Sequence, residues 1–184
     1  MKIISIGGNP GSGKSTLMKE VLKLIDASPT STQLYDLVPG HVAGINDTPW
    51  AVVLGKYDED VGVFGGTDKM SMAVQPKAIE YLATEPTKVV IFEGDRLFTA
   101  SFLEDCNAKY ELHIIHLATS GDVREERYKD RGSNQDPTWL KGRESKISNI
   151  LTNFDLMDRV ETFNNNNLEE QAVILAHLKS LIYN

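Results

Sequence analysis

The stretch Gly8-Asn9-Pro10-Gly11-Ser12-Gly13-Lys14-Ser15 sets glycines, a lysine and a hydroxyl at the spacing G-x-x-x-x-G-K-[ST]. These residue types suit the handling of phosphate. Gly8, Gly11 and Gly13 permit positive φ, which turns backbone N–H groups toward an anion. A helix starting at Lys14 adds the positive end of its dipole. Lys14 then reaches the β- and γ-phosphates of a nucleoside triphosphate, while the Ser15 hydroxyl ligates Mg²⁺. Asn9, Ser12 and Thr16 complete the cradle. The expected ligands are ATP and Mg²⁺.

A triphosphate site also needs a carboxylate beside the metal, usually at the end of a buried strand. Glu93 ends the apolar run Thr87-Lys88-Val89-Val90-Ile91-Phe92-Glu93, and Gly94, Asp95 and Arg96 follow. Glu93, or Asp95 beside it, is the expected metal or water ligand. Arg96 either holds a phosphate or pairs with one of these acids. Transfer to a hydroxyl calls further for a base that accepts its proton. Two aspartates qualify: Asp36, ending a second strand on the same sheet edge, and Asp68 in the turn Gly65-Gly66-Thr67-Asp68. Position favours Asp36, and the sequence leaves both open.

Arg124, Arg127 and Arg131 stand three and four apart, on one face of a helix. Like charges on one face repel unless an anion or a set of acids lies opposite. The alternative is a solvated helix supported by Glu125–Lys129 and Arg127–Asp130 spacings. Trp50, Tyr57 and Phe64 are candidates either for stacking on a base or for the core. His113 and His116 are three apart in a strand and face opposite sides, so they make a poor metal pair. His41, His177 and Cys106 complete no ligand set.

The elements that must position these groups alternate. Strands are expected over 2–6, 33–38, 87–93, 111–117 and 160–163. Between and after them come helices from Lys14, through Ile79 and Leu82, over 97–108 and 120–131, from Pro137 with Asp136 as N-cap, and over the last stretch with Leu168, Ala172, Leu175, Leu178 and Ile182 on one face. Asn167 and Glu170 stand three apart ahead of that last helix, as a capping box requires. The first helix turns Leu17, Val21 and Leu24 or Ile25 inward. Short β-like runs at 41–45, 50–57 and 61–64 read as a small antiparallel insertion, about 41–66, on the substrate side. The whole predicts an α/β fold: a three-layer α/β/α domain with a mostly parallel sheet, its ligands at the carboxyl ends of the strands.

At 184 residues the chain is expected to form one domain, 1–184. A formal charge of −7 argues against broad, nonspecific duplex binding without excluding a local basic groove. A single cysteine suits a reducing compartment. With neither a signal-like segment nor an apolar run of membrane-spanning length, a cytoplasmic protein with no membrane partner is expected. Oligomeric state is not legible.

Ile91-Phe92-Glu93-Gly94-Asp95-Arg96 resembles the acidic-Gly-x-x-Arg turn of P-loop nucleotide kinases, with Glu where many members carry Asp. The segment from Glu161 through the four asparagines to Glu170 resembles their loop beside the adenine. The resemblance implies a lid between the penultimate and final strands, about 120–146. Arg127 would then stabilise the phosphoryl group in transit, and Arg124 and Arg131 would meet the nucleotide. Lys141, Arg143 and Lys146 continue the lid or grip a phosphorylated substrate. More narrowly, residues 64–76, 92–98 and 140–147 look like bacteriophage 5-hydroxymethyluracil DNA kinases. That likeness implies a hydroxymethyl group on DNA as acceptor, reached by base flipping, and the host cytoplasm as location. The alternatives are a kinase of a free nucleoside, nucleotide or other small metabolite, and a non-kinase ATPase or switch. No N/T-K-x-D guanine motif supports a GTPase.

Overall fold

The computed structural model describes residues 1–45, 48–58, 65–84, 87–130, 132 and 136–184. Among them, seven strands form one sheet: β1 (Lys2–Gly8), β2 (Thr32–Tyr35), β3 (Val38–Ile45), β4 (Thr48–Leu54), β5 (Val89–Glu93), β6 (Glu111–Ala118) and β7 (Val160–Asn164). Their order is β2-β3-β4-β5-β1-β6-β7. Neighbours from β4 to β7 are parallel, and β3 runs antiparallel to both β2 and β4. The helices are α1 (Lys14–Leu24), α2 (Val74–Ala83), α3 (Ala100–Lys109), α4 (Gly121–Asp130), α5 (Pro137–Leu151) and α6 (Leu168–Tyr183).

The pleat sorts the side chains into two cores. Ile3, Val90, Phe92, Leu112 and Ile114 pack with α2, α3 and α5. Ile4, Ile6, Val89, Ile91, Ile115 and Leu117 pack with α1 and α6. The result is a three-layer α/β/α arrangement. Both faces of β5 are covered, which is why its sequence runs apolar without alternating. Glu93 continues the Val89–Ile91 parity and so emerges on the α1 side.

The caps of α5 and α6 follow their sequence signals. Asp136 accepts from the Trp139 N–H ahead of Pro137, and Asn167 accepts from the Glu170 N–H. Glu170 returns a bond to the Asn166 N–H, at 2.6 Å.

The expected antiparallel part is present as β3 against β2 and β4, and it belongs to the main sheet because β4 pairs in parallel with β5. Beyond β4, Lys56 bridges Gly66, and the third run, 61–64, lies outside the described residues. Two expectations change. The strand expected over 33–38 breaks at Asp36 and Leu37, where Leu37 takes φ 60° and the chain reverses into β3. Leucine does not announce such a turn. On α6 the buried face is Ile174, Leu178 and Ile182, whereas Leu168 is 79% exposed. No helix among the described residues is long and apolar enough to cross a membrane.

Leu37 in the left-handed region costs about 1–2 kcal/mol, a conformation that Asn adopts more readily. Leu37→Asn is expected to raise the melting temperature by a few degrees, about 1 kcal/mol. A thermal melt with an unchanged or lower midpoint would show that leucine packing outweighs the strain.

Candidate active site

The loop between β1 and α1 forms where the sheet reaches its carboxyl edge, with β5 on one side and β6 on the other. Gly13 is the N-cap of α1 at φ 88°, with no side-chain cap on the helix. The first-turn N–H groups are therefore left for an anion. A Cβ on Gly13 would lie 2.6 Å from Asn165 Nδ2, so only glycine fits. Lys14 Nζ folds across the loop onto the carbonyls of Gly8 (2.8 Å) and Asn9 (3.1 Å). Asn9 Oδ1 and Ser12 Oγ are buried without a partner among the described residues. Thr16 is exposed in the first turn of α1. Orphaned polar atoms, an uncapped helix start and a lysine resting on carbonyls fit a polyphosphate.

Ser15 and Glu93, 78 residues apart in sequence, meet here. Ser15 Oγ donates to Glu93 Oε1 at 3.3 Å, and Tyr57 Oη donates to the same oxygen at 3.2 Å. Glu93 is 2% exposed. Burial pushes its carboxyl up to about 7, against the pull of Lys14, with Asp68 adding to the rise. The Tyr57 hydroxyl is held well above its usual range, first by burial and then by Glu93. Gly66, at φ 87°, lies against this group: a Cβ there would come within 2.3 Å of Glu93 Oε1. A hydroxyl beside a carboxylate at a phosphate loop is a donor set that Mg²⁺ accepts when phosphate oxygens supply the remainder.

The two candidate bases part company. Asp68 Oδ1 accepts the Asp95 N–H at 2.8 Å, and Thr67 Oγ1 donates to the Glu93 carbonyl at 2.6 Å. The Gly66–Asp68 turn is thus fastened to the end of β5. Asp36 lies in the β2–β3 turn, its side chain 65% exposed and 3.8 Å from Lys77. That turn is three to four strand spacings from β1, roughly 14–19 Å. Asp36 shares the sheet edge with the loop but is not brought to it. Asp95 pairs with Arg143 (3.0 Å) and Lys146 (3.7 Å). Burial lowers the Lys146 pKa, partly offset by Asp95. Arg96 makes no pair with a carboxylate among the described residues, and its Nε is buried without a partner.

Helix α4 lies on the phosphate loop. Tyr128 Oη donates to the Pro10 carbonyl at 2.6 Å. Arg127 donates to the carbonyls of Gly11 (2.9 Å), Asn165 (3.0 Å) and Asn166 (3.2 Å). Arg124 turns to Glu144 of α5, at 3.1 Å. Arg131 lies outside the described residues. Tyr57, weighed for base stacking or the core, instead meets Glu93. Tyr128 and Asn165 were not legible as site residues: one is an aromatic in a polar helix, the other one asparagine of four. Trp50 stacks on Tyr183 at the opposite edge of the sheet, with ring centroids 5.4 Å apart. His113 contacts Glu111, and His116 contacts Thr162.

A family model described as P-loop Nucleotide Kinase3 matches residues 1–167. Among solved structures, the chain is similar to a sugar kinase from Janibacter sp. HTCC2649, with 12% identity, 100% of this chain and 96% of that chain covered, and a TM-score of 0.52. It is also similar to shikimate kinase from Bacteroides thetaiotaomicron, with 17% identity, coverage of 98% and 97%, and a TM-score of 0.50. At these identities the likeness is one of fold. Comparison with curated protein sequences finds no match.

The burial of Glu93 predicts a pH signature. Between its ordinary 4.5 and about 7, the folded chain keeps a proton that the unfolded chain has released. Stability from the neutral carboxyl is complete below the lower value and is lost as pH rises through the upper one. Glu93→Gln stays neutral, so it should gain stability relative to the wild type from about pH 5 to about pH 8. Denaturant melts across that range measure the difference, and parallel curves would count against the buried, proton-linked carboxyl.

Proposed function

Since the chain belongs to the P-loop Nucleotide Kinase3 family, we propose that it transfers the γ-phosphoryl group of ATP to a hydroxyl acceptor, assisted by Mg²⁺. The observation that carries this reading is the meeting of Ser15 and Glu93 behind the phosphate loop, with Asp68 fastened just beyond. Lys14 exchanges its two carbonyl partners for β- and γ-phosphate oxygens. Ser15 and Glu93 would hold Mg²⁺, which when bound would neutralise phosphate charge. The acceptor oxygen attacks the γ-phosphorus, the bond to the ADP oxygen breaks, and the acceptor proton passes to Asp68. The products are a phosphomonoester and ADP. One oxygen of Asp68 is anchored by the Asp95 N–H, which leaves the other for the proton. Arg143 and Lys146 place positive charge on the same side for an acceptor that carries phosphate.

For the acceptor we put the hydroxymethyl group of 5-hydroxymethyluracil in DNA first. Its support is that two of the segments resembling such kinases, 64–76 and 92–98, are joined by the Thr67 and Asp68 hydrogen bonds. A free nucleotide, nucleoside or other small hydroxyl compound is the second reading, favoured by the formal charge of −7.

Incubation with labelled ATP and a panel of acceptors tests both. Label on 5-hydroxymethyluracil DNA and none on thymine DNA is expected, with a phosphomethyl nucleoside on digestion. Label confined to free nucleotides or nucleosides would transfer the assignment to the second reading. ATP consumed with no labelled acceptor would mark an ATPase. Asp68→Asn should lose transfer while keeping ATP binding, whereas Asp36→Asn should retain activity. The reverse result would return the base to Asp36. Lys14→Ala should lower turnover about 100-fold or more while leaving the fold intact, as circular dichroism reads it. Near-normal turnover at saturating ATP would refute the role of the loop.

A further inference from the structure

Three successive carbonyls of the phosphate loop are tied down from outside. We propose that Arg127, Tyr128 and Asn165 form a clamp that presets the loop for its anion, and that Arg127 acts as a positioning residue through the loop backbone. The inference rests on reading the loop as a triphosphate site.

Tyr128 Oη takes the Pro10 carbonyl (2.6 Å), Arg127 takes that of Gly11 (2.9 Å) and Asn165 Nδ2 that of Ser12 (2.6 Å). A trans peptide is planar, so a carbonyl held on one side sends the following N–H to the other. Tyr128 thereby orients the Gly11 N–H, and Asn165 orients the Gly13 N–H. The Ser12 N–H, which follows the carbonyl held by Arg127, closes the loop onto Asn9 O at 3.0 Å.

The donors come from two elements far apart in sequence. Arg127 joins them, since its second amino group binds the Asn165 and Asn166 carbonyls. Asn165 is 1% exposed, and its own N–H is anchored on Ala118 O at 2.8 Å. Packing agrees with the hydrogen bonds. A Cβ on Gly11 would meet the Tyr128 ring at 3.0 Å, and one on Gly13 would meet Asn165 Nδ2 at 2.6 Å.

A loop with glycines at positive φ can rotate its peptide planes and present a carbonyl, which repels phosphate. The clamp removes those conformations, so it strengthens the binding of any polyphosphate, with or without a nucleoside attached. A group that acted only on the transition state would leave that ground-state affinity unchanged.

Calorimetric binding of inorganic tripolyphosphate and of ADP to the full chain tests this, with melting temperatures recorded in parallel. Tyr128→Phe should weaken both ligands about fivefold, as expected for one lost hydrogen bond. Asn165→Ala and Arg127→Lys should each weaken both about tenfold, with KM for ATP rising more than kcat falls. Tyr128→Phe removes only a hydroxyl, so it decides the question even if Asn165→Ala folds poorly. Full affinity in Tyr128→Phe would overturn the clamp, and loss confined to Arg127→Lys would put Arg127 on the phosphates. Weakening of ADP without tripolyphosphate would also overturn it, since the three residues would then serve the nucleoside end. If the wild type bound neither ligand, the triphosphate reading itself would fail.

Discussion

A carboxylate with almost no access to water is the constraint around which this structure is organised. Glu93 is 2% exposed, and in that setting an ionised carboxyl is stable only with donors and positive charge at hand. Ser15 and Tyr57 supply the donors, and Lys14 supplies the charge. Each arrives by a different route. Ser15 and Lys14 come from the first turn of α1, because β5 lies directly beside β1. Tyr57 comes from the residues just past β4, because β4 pairs with β5 on its other side. Gly66 leaves room for the carboxyl by having no Cβ. A shift of any one strand would leave the acid buried without partners.

The same geometry explains how the two sides of the site are linked. Thr67 is bound to the last residue of β5 and Asp68 to the turn after it, and Arg143 and Lys146 of α5 are bound to Asp95 in that turn. Helix α4 is bound to the phosphate loop and is tied to α5 by Arg124 and Glu144. The two helices therefore span from the loop to the far side of β5. The charges of Arg124 and Arg127 are met by a carboxylate and by backbone carbonyls, which answers the repulsion between these two that their spacing implies.

The sequence by itself determined the phosphate loop, the alternation of strands and helices, the acid at the end of β5 and the caps at Asp136 and Asn167. These are local properties. Each depends on residue type and spacing over a few positions, and the physics of glycine, helix termini and pleated strands reads them directly. Element edges were less legible where the deciding residue was atypical, as at Leu37, where a leucine makes the turn.

Tertiary structure alone decided which of two equivalent aspartates approaches the loop, because strand order sets lateral distance. Asp36 and Asp68 are both plain turn residues in sequence. Only the order β2-β3-β4-β5-β1 leaves the first at the far edge, while the Asp95 N–H draws in the second. It likewise decided what Arg127 touches. Helical spacing tells which side chains share a face, but the partner of that face is set by packing between elements more than a hundred residues apart. Here that partner is a row of carbonyls on the phosphate loop.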